Sequence, residues 1–391
     1  MTASAALRTP PLDRLVRTEL RFAGRRWQAY RTCGITGLVL AVALALALVA
    51  HTGLSPLVFA AVIVSAVATF VGLVSITRLL AGAELIVNYH CEIAVMVTTA
   101  LLLRLLGRPV LPYLDLTILG VGTFVACGRV GCFLVGCCHG RAQRWGVCYG
   151  HEHASAGFPG WLVGVRLAPV QLLESAWVFS IVAVDVALLL LGARPGVAFV
   201  WHASAYAAGR FCCELLRGDA GRRYFGSFSE AQWTSLAVLA AVTLLGLAGA
   251  LPALAWQPAA TLGLAAVMAA LSAAGGGRRL FRPQHVQQLA ALLDHARARA
   301  SAAGELHVGE TSLGLRVSAS KLLEAPSTES CGVEIVAFSC PGAALSHRRA
   351  RRLAALIHQL LRAGTGAHLL AGARGVYHLV LPAQRSSAHA L

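Results

Sequence analysis

The stretch AYAAGRFCCELLRGD holds Tyr206, Arg210 and Glu214 at i, i+4 and i+8, with Arg217 near the same edge. On a helix that spacing lines one face. An arginine and a glutamate so placed either bind and orient an anion or form an internal ion pair that fixes helix packing. A second set lies in ACGRVGCFLVGCCHGR, where Arg129 stands among Gly128, Gly131, Gly136 and Gly140. A planar guanidinium beside an approachable backbone suits a phosphate, because its fork can hold two oxygens at once. The plainer use of such an arginine is snorkelling to a membrane interface. His90 and Glu92 open an apolar stretch in NYHCEIAV, where the histidine serves as a base or as a helix-end group. Gln171 and Glu174 enter another apolar run in APVQLLESAW, in binding or boundary positions, and Asp115 heads a further one.

The elements that must carry these residues are set by composition. Of 391 residues, 57% are apolar and 13% charged, against about 25% charged in an ordinary water-soluble domain. Apolar runs of roughly 18 residues or more read as membrane-spanning helices. Residues 33–52, 55–77, 232–250 and 257–275 form uninterrupted runs, and 88–107, 111–137, 169–193 and 196–216 are broken by polar residues. The fold class expected is an all-α polytopic membrane protein with seven to eight transmembrane helices and a small C-terminal α+β soluble domain. Polar side chains inside such spans are costly and by default face the protein interior.

Three parts are expected. Residues 1–32 form a basic arm with Arg8, Arg14, Arg17, Arg21, Arg25, Arg26 and Arg31. That is too long and too arginine-rich for a cleaved signal peptide, and it reads as a retained cytoplasmic arm, partly an interfacial helix. Residues 33–275 form the membrane body. Residues 276–391 form a linker and the α+β domain, with a helix over 284–303, strands in ELHVGETSLGLRVSAS and GVEIVAFSC, a helix after Ser346 and a hairpin around Gly372–Gly375. The formal charge of +16 comes from arginines, Lys321 excepted. It reads as flanks beside anionic lipid rather than as a nucleic-acid surface.

The eleven cysteines form an odd set that argues against a full disulfide framework. Free cysteine packs as a small hydrophobe. Cys137, Cys138, His139, Cys148, His151 and His153 match no trusted zinc spacing, so no metal is expected. The vicinal pair Cys137–Cys138 leaves open a membrane thiol oxidoreductase, and a non-enzymatic membrane scaffold is a third class.

Taken in order, these motifs resemble the prolipoprotein diacylglyceryl transferase family over about residues 35–250. GRVGCFLVGCCHGR is similar to the family signature, which runs Gly-Arg-x-Gly-Asn-Phe and continues to a Glu and a Gly-Arg. Arg129, Phe133, Gly140 and Arg141 match it, and Asp115 matches an aspartate one helix length upstream. YHCEIAV resembles the segment carrying the family's His-Gly-Gly, with His90 on the histidine. APVQLLES is similar to His-Pro-x-Gln-Leu-Tyr-Glu, and YAAGRFCCELLRGD to Tyr-x-x-x-Arg-Phe-x-x-Glu-x-x-Arg. The departures are Cys132 for the signature Asn, Cys137 for its Glu, Ala168 for the histidine before Pro169, Leu173 for a tyrosine, and Cys91 and Glu92 for the glycines.

The resemblance implies a transfer of a diacylglyceryl group from phosphatidylglycerol to the lipobox cysteine of a prolipoprotein, in the plasma (inner) membrane, with no cofactor. It implies His90, Arg129 and Arg210 as catalytic. It places Asp115, Cys132, Cys137, Gly140, Gln171, Glu174, Tyr206, Glu214 and Arg217 around the substrate. Orientation is pulled two ways. The basic arm and GGGRRLFRP favour a cytoplasmic start, whereas the family signature ends its span at the outward face.

Overall fold

The structure, a computed structural model, describes residues 11–22, 24–81, 88–273, 279–302, 307–322, 333–341, 345–364 and 366–382. The first ten residues, most of the glycine linker at 275–278 and the start of the first C-terminal strand stretch at 305–306 lie outside that set.

The arm departs from expectation over its described residues. Instead of an interfacial helix, Pro11–Arg14 makes a 3-10 turn, and Glu19–Phe22 (β1) pairs antiparallel with Arg25–Gln28 (β2). Gly24 at φ 74° adopts the left-handed conformation that a tight turn needs and a helix does not tolerate. The arm is tied down by the Arg17 N–H to the Leu134 carbonyl at 3.0 Å, and by Asp13, which accepts from the Cys148 N–H and from Arg166.

The membrane body follows from unbroken apolar runs punctuated by glycine and proline. Its helices are Ala29–Thr52 (α1), Pro56–Ala81 (α2), Asn88–Leu105 (α3) and Val110–Val135 (α4). A connection with Ala142–Val147 (β3) and His151–Ser155 (α5) leads to Val170–Leu190 (α6) and Val197–Leu216 (α7). A two-residue hairpin, Tyr224–Phe225 (β4) and Phe228–Ser229 (β5), precedes Glu230–Leu247 (α8) and Gln257–Ala273 (α9). Ser229 caps α8 with Gln232 in a capping box, which sets the helix start. Among the described residues, α1, α2, α4, α6 and α8 are long and apolar enough to cross a membrane. The chain is thus a multi-pass membrane protein. α3 and α7 have the length but are diluted by polar side chains, and α9 has 17 residues.

α4 is the most deeply buried of the five and packs against α1, α3, α6 and α7. Asp115, near its start, accepts the Gly196 and Phe199 N–H groups at 2.6 and 2.7 Å. A carboxylate at those unpaired N–H groups anchors the start of α7 electrostatically. Asp115 therefore docks one helix on another.

The C-terminal region holds Pro283–Ala302 (α10), Val308–Glu310 (β6), Arg316–Leu322 (β7), Val333–Ser339 (β8), His347–Leu360 (α11), His368–Ala371 (β9) and Tyr377–Pro382 (β10). The five strands form an antiparallel sheet in the order β6-β7-β8-β10-β9. Ser346 accepts the Arg349 N–H and starts α11, whose Ala350, Leu353, Ala354 and Ile357 are buried. This apolar face joins Leu289 and Leu293 of α10 and the inward residues Val336 and Phe338 of the sheet.

The same core continues into the α4–α6 connection, through Val147, Tyr149, Phe158, Leu162, Val163 and Leu167, and reaches Val16 of the arm. Arm, connection and C-terminal region consequently lie on one side. Tags on the two ends of the full chain should become accessible to protease together, from the same face of sealed vesicles. Cleavage of the two tags from opposite faces would refute this packing.

Candidate functional site

The site forms where α4 ends, α6 begins and α7 ends. α4 stops at Gly136, whose φ of 84° needs a residue without Cβ and whose N–H returns to the Cys132 carbonyl. The chain then turns back, and Gly140 passes so close to Ala168 that a Cβ would run into its carbonyl. Backbone bonds tie the strip to both neighbours: Arg141 N–H to Leu216, Gly218 N–H to His139, and Ala168 N–H to Arg141. Gln171 secures the turn by donating to the Cys137 carbonyl at 2.9 Å.

This framework brings three helices' charges together. Glu174 of α6 is the hub. Its Oε2 lies 3.0 Å from Arg129 Nε, 3.3 Å from Arg210 Nη1 and 3.7 Å from Arg217 Nη1. Tyr206 donates to its other oxygen at 3.3 Å. Arg210 turns its second nitrogen to Glu214 at 2.6 Å, and Glu214 also receives Arg222 at 2.6 Å and the Ser229 hydroxyl at 2.9 Å. Arg217 donates to Asp219 at 2.8 Å. Burial raises the Asp219 carboxyl, and Arg217 with Arg222 outweighs that effect and holds it below the usual carboxylate range.

Four guanidiniums (Arg129, Arg210, Arg217, Arg222) thus meet three carboxylates (Glu174, Glu214, Asp219), which leaves one positive charge uncompensated within the ion-paired set. Glu174, Arg129, Arg210, Glu214 and Arg217 are all buried. Nε of Arg210 is buried and reaches no partner, while Nε of Arg129 and Nη1 of Arg217 face only the shared Oε2 of Glu174. Three guanidiniums sharing one carboxylate oxygen, in a low-dielectric cluster with surplus positive charge, suit an anion with several oxygens.

Beside the cluster a cavity of about 430 Å³ opens between α1, α2, α3 and α4. Its long walls are apolar, with Leu38, Val62, Val67 and Phe70 among them, and its polar lining comes chiefly from Tyr30, Arg31, Glu92, Arg129 and Cys132. A greasy chamber with guanidinium at its wall matches an anionic amphiphile.

Of the residues singled out from sequence, Arg129, Gln171, Glu174, Tyr206, Arg210, Glu214 and Arg217 gather here, with Gly140, Cys132 and Cys137 in the turn beneath. His90 does not. Its ring is 55% exposed, pairs with Glu230 at 3.1 Å and is absent from the cavity wall. Two residues along, Glu92 is turned inward, lines the cavity and keeps a buried, unpartnered Oε1. The helix phase decides this, since positions two apart lie on opposed sides.

Sequence reasoning missed Arg222, Asp219 and Ser229, which complete the network from a loop where no periodicity marks them. It also missed the buried pair Asp185–His202 at 2.6 Å, which joins α6 to α7. Two intramembrane ionisable groups on consecutive apolar runs are the signal that would have found it.

The family model for prolipoprotein diacylglyceryl transferase matches residues 25–247, more than half of the chain. A phosphatidylglycerol–prolipoprotein diacylglyceryl transferase of Clostridium tetani is 30% identical over 129 residues, 32% of this chain and 49% of that protein. A second such transferase, of Clostridium perfringens, is 30% identical over 141 residues, 35% of this chain and 51% of that protein. The aligned chain spans about half the length of these curated relatives. With the charged cluster assembled from the matched segments and the family match running through all of them, this chain belongs to the prolipoprotein diacylglyceryl transferase family.

Proposed function

We propose that the chain transfers the diacylglyceryl group of phosphatidylglycerol to the lipobox cysteine thiol of a prolipoprotein in the plasma membrane. The observation that supports this most is the meeting of Arg129 and Arg210, from separate helices, on one carboxylate beside an apolar cavity. In this reading the acyl chains occupy the cavity and the phosphate lies against the Arg129 and Arg210 guanidiniums. The acceptor sulfur, as thiolate, attacks the glycerol carbon that carries the phosphate oxygen. A C–S bond forms, the C–O bond breaks, and the electron pair leaves on glycerol phosphate, whose growing charge the arginines stabilise.

Glu174 holds both arginines in place, Glu214 orients Arg210 from its other side, and Tyr206 fixes Glu174. Gln171 and Gly140 shape the turn. Glu92, not His90, is the side chain of α3 placed to receive the acceptor proton. We assign eight spanning helices, adding α3, α7 and α9 to the five apolar ones. An even number agrees with the shared face of arm and C-terminal region. Residues 1–32, 33–275 and 276–391 act as arm, transferase body and linker with α+β domain. If the reaction takes place at the outward leaflet, as the resemblance implies, arm and C-terminal region face outward too, against the charge rule.

The test is rescue. Expressed in cells depleted of their own diacylglyceryl transferase, the chain should add lipid to a lipobox protein, read as a mobility shift and incorporation of labelled acyl chain. A chain that is membrane-inserted and folded yet adds no lipid would reject the prolipoprotein as acceptor.

A further inference from the structure

Two of the positions where this chain departs from the family signature, Cys132 and Cys137, do not scatter. Their Sγ atoms and that of Cys138 all lie within 4.8 Å of one another. Three features of the local fold bring them there. Cys132 sits in the last turn of α4, Gly136 reverses the chain at φ 84°, and Cys138 adopts φ 53°, a left-handed conformation that a residue with a Cβ rarely takes. Such strain persists where surrounding structure imposes it. Gln171, holding the Cys137 carbonyl, and Gly218, donating to the His139 carbonyl, supply that imposition.

We propose that Cys132, Cys137 and Cys138 form a three-thiolate site for a thiophilic divalent cation of the Zn2+ class, whose open fourth position takes the acceptor thiol as thiolate. The second half rests on the transferase reading above; the first does not. A zinc–sulfur bond of about 2.3 Å puts tetrahedral sulfurs roughly 3.8 Å apart, and these sulfurs already lie within 4.8 Å of one another. Thiolate ligands select borderline-soft cations over Mg2+ or Ca2+. A divalent ion on three thiolates carries one net negative charge, and the ion-paired cluster that reaches the same cavity wall through Arg129 carries one net positive charge. An anionic centre is therefore favoured where a bare cation would be repelled. Cys137 is exposed and offers an entry path, while Cys132 lines the cavity beside Arg129.

Three protein ligands with a free position are the arrangement of a catalytic rather than a structural zinc site. A thiol bound in that position is deprotonated outright. The three cysteines release three protons when the metal binds, and the acceptor gives up a fourth, to Glu92 on the same cavity wall, when it joins. The bound sulfur then forms its C–S bond as the C–O bond breaks, and the neutral thioether, a weaker ligand, departs. The amide and carboxylate of the family signature would thus be exchanged for a device that generates the nucleophile.

Cobalt serves as the probe. The full chain, purified in detergent with a non-thiol reductant, should bind one Co2+ with a thiolate-to-metal charge-transfer band, and Zn2+ should displace it. X-ray absorption of the zinc form should count three sulfurs at about 2.3 Å. Cys132→Ser, Cys137→Ser and Cys138→Ser should each weaken binding at least tenfold, whereas Cys148→Ser and Cys340→Ser should not. A peptide with a lipobox cysteine should then shift the cobalt band, and its serine counterpart should leave it unmoved. Absence of the band, or its survival in Cys138→Ser, would overturn the site. A band indifferent to the cysteine peptide would overturn the acceptor role. No lipid is present in these measurements, so failure of the transferase reading registers only in the rescue assay.

Discussion

Glu174→Ala is expected to be the most damaging single change to stability in the membrane body, with a loss of about 3–5 kcal/mol. The reason is asymmetric. Arg129, Arg210 and Arg217 all lie within 3.7 Å of Glu174 Oε2, and each is buried. Removing the shared carboxylate leaves several charges in a low-dielectric site with the partner gone, which costs far more than the net worth of any one pair. Glu174→Gln should fall between the two, since it keeps an acceptor for Tyr206 and the arginines but not the charge. Thermal unfolding in detergent reads the order wild type, Gln, Ala. An Ala variant as stable as wild type would mean that water from the cavity reaches the arginines, and the buried hub would have to be abandoned.

The second large effect concerns chemistry. Arg129→Ala should lower diacylglyceryl transfer by a factor of about 10²–10³, the loss typical of one preorganised donor to a developing oxyanion. Stability should change little by comparison, because Glu174 keeps Arg210 and Arg217. Arg129→Lys should rescue little of the rate, since an ammonium cannot reproduce a planar two-pronged grip on phosphate oxygens. Labelled acyl incorporation into a lipobox protein measures both variants beside a melt of each. Full activity in Arg129→Ala would remove the guanidinium from the reaction. The same assay separates the two α3 candidates: Glu92→Gln should cost more activity than His90→Gln, because only Glu92 lines the cavity.

Much of this was open to reading in one dimension. Apolar runs marked the helices α1 to α4 and α6 to α9, because a 3.6-residue period and the absence of charge are local properties. Tyr206, Arg210 and Glu214 were placed on one face by spacing alone, and they do share it. The strands and helices of the C-terminal region were also legible, since β8 alternates and α11 is amphipathic over short windows. The arm was not: its arginines mark an interface, but the turn at Gly24 and the pairing of β1 with β2 outweigh helix propensity.

By itself, then, the sequence determined a membrane body, its apolar helices and a set of polar residues that are costly inside them. Only the tertiary structure decided their company. His90 and Glu92 have the same claim on paper, and helix phase against α4 turned one to the surface and the other to the cavity. Asp115 matched a signature position, and packing made it the anchor of α7. Cys132, Cys137 and Cys138 lie too irregularly along the chain to share a helix face, and a left-handed turn after Gly136 folds their sulfurs together. The physical reason is common to all three cases. Burial and spacing are local and can be read along the chain, whereas the meeting of side chains depends on helix phase, crossing and loop reversal, which are settled by contacts between distant segments.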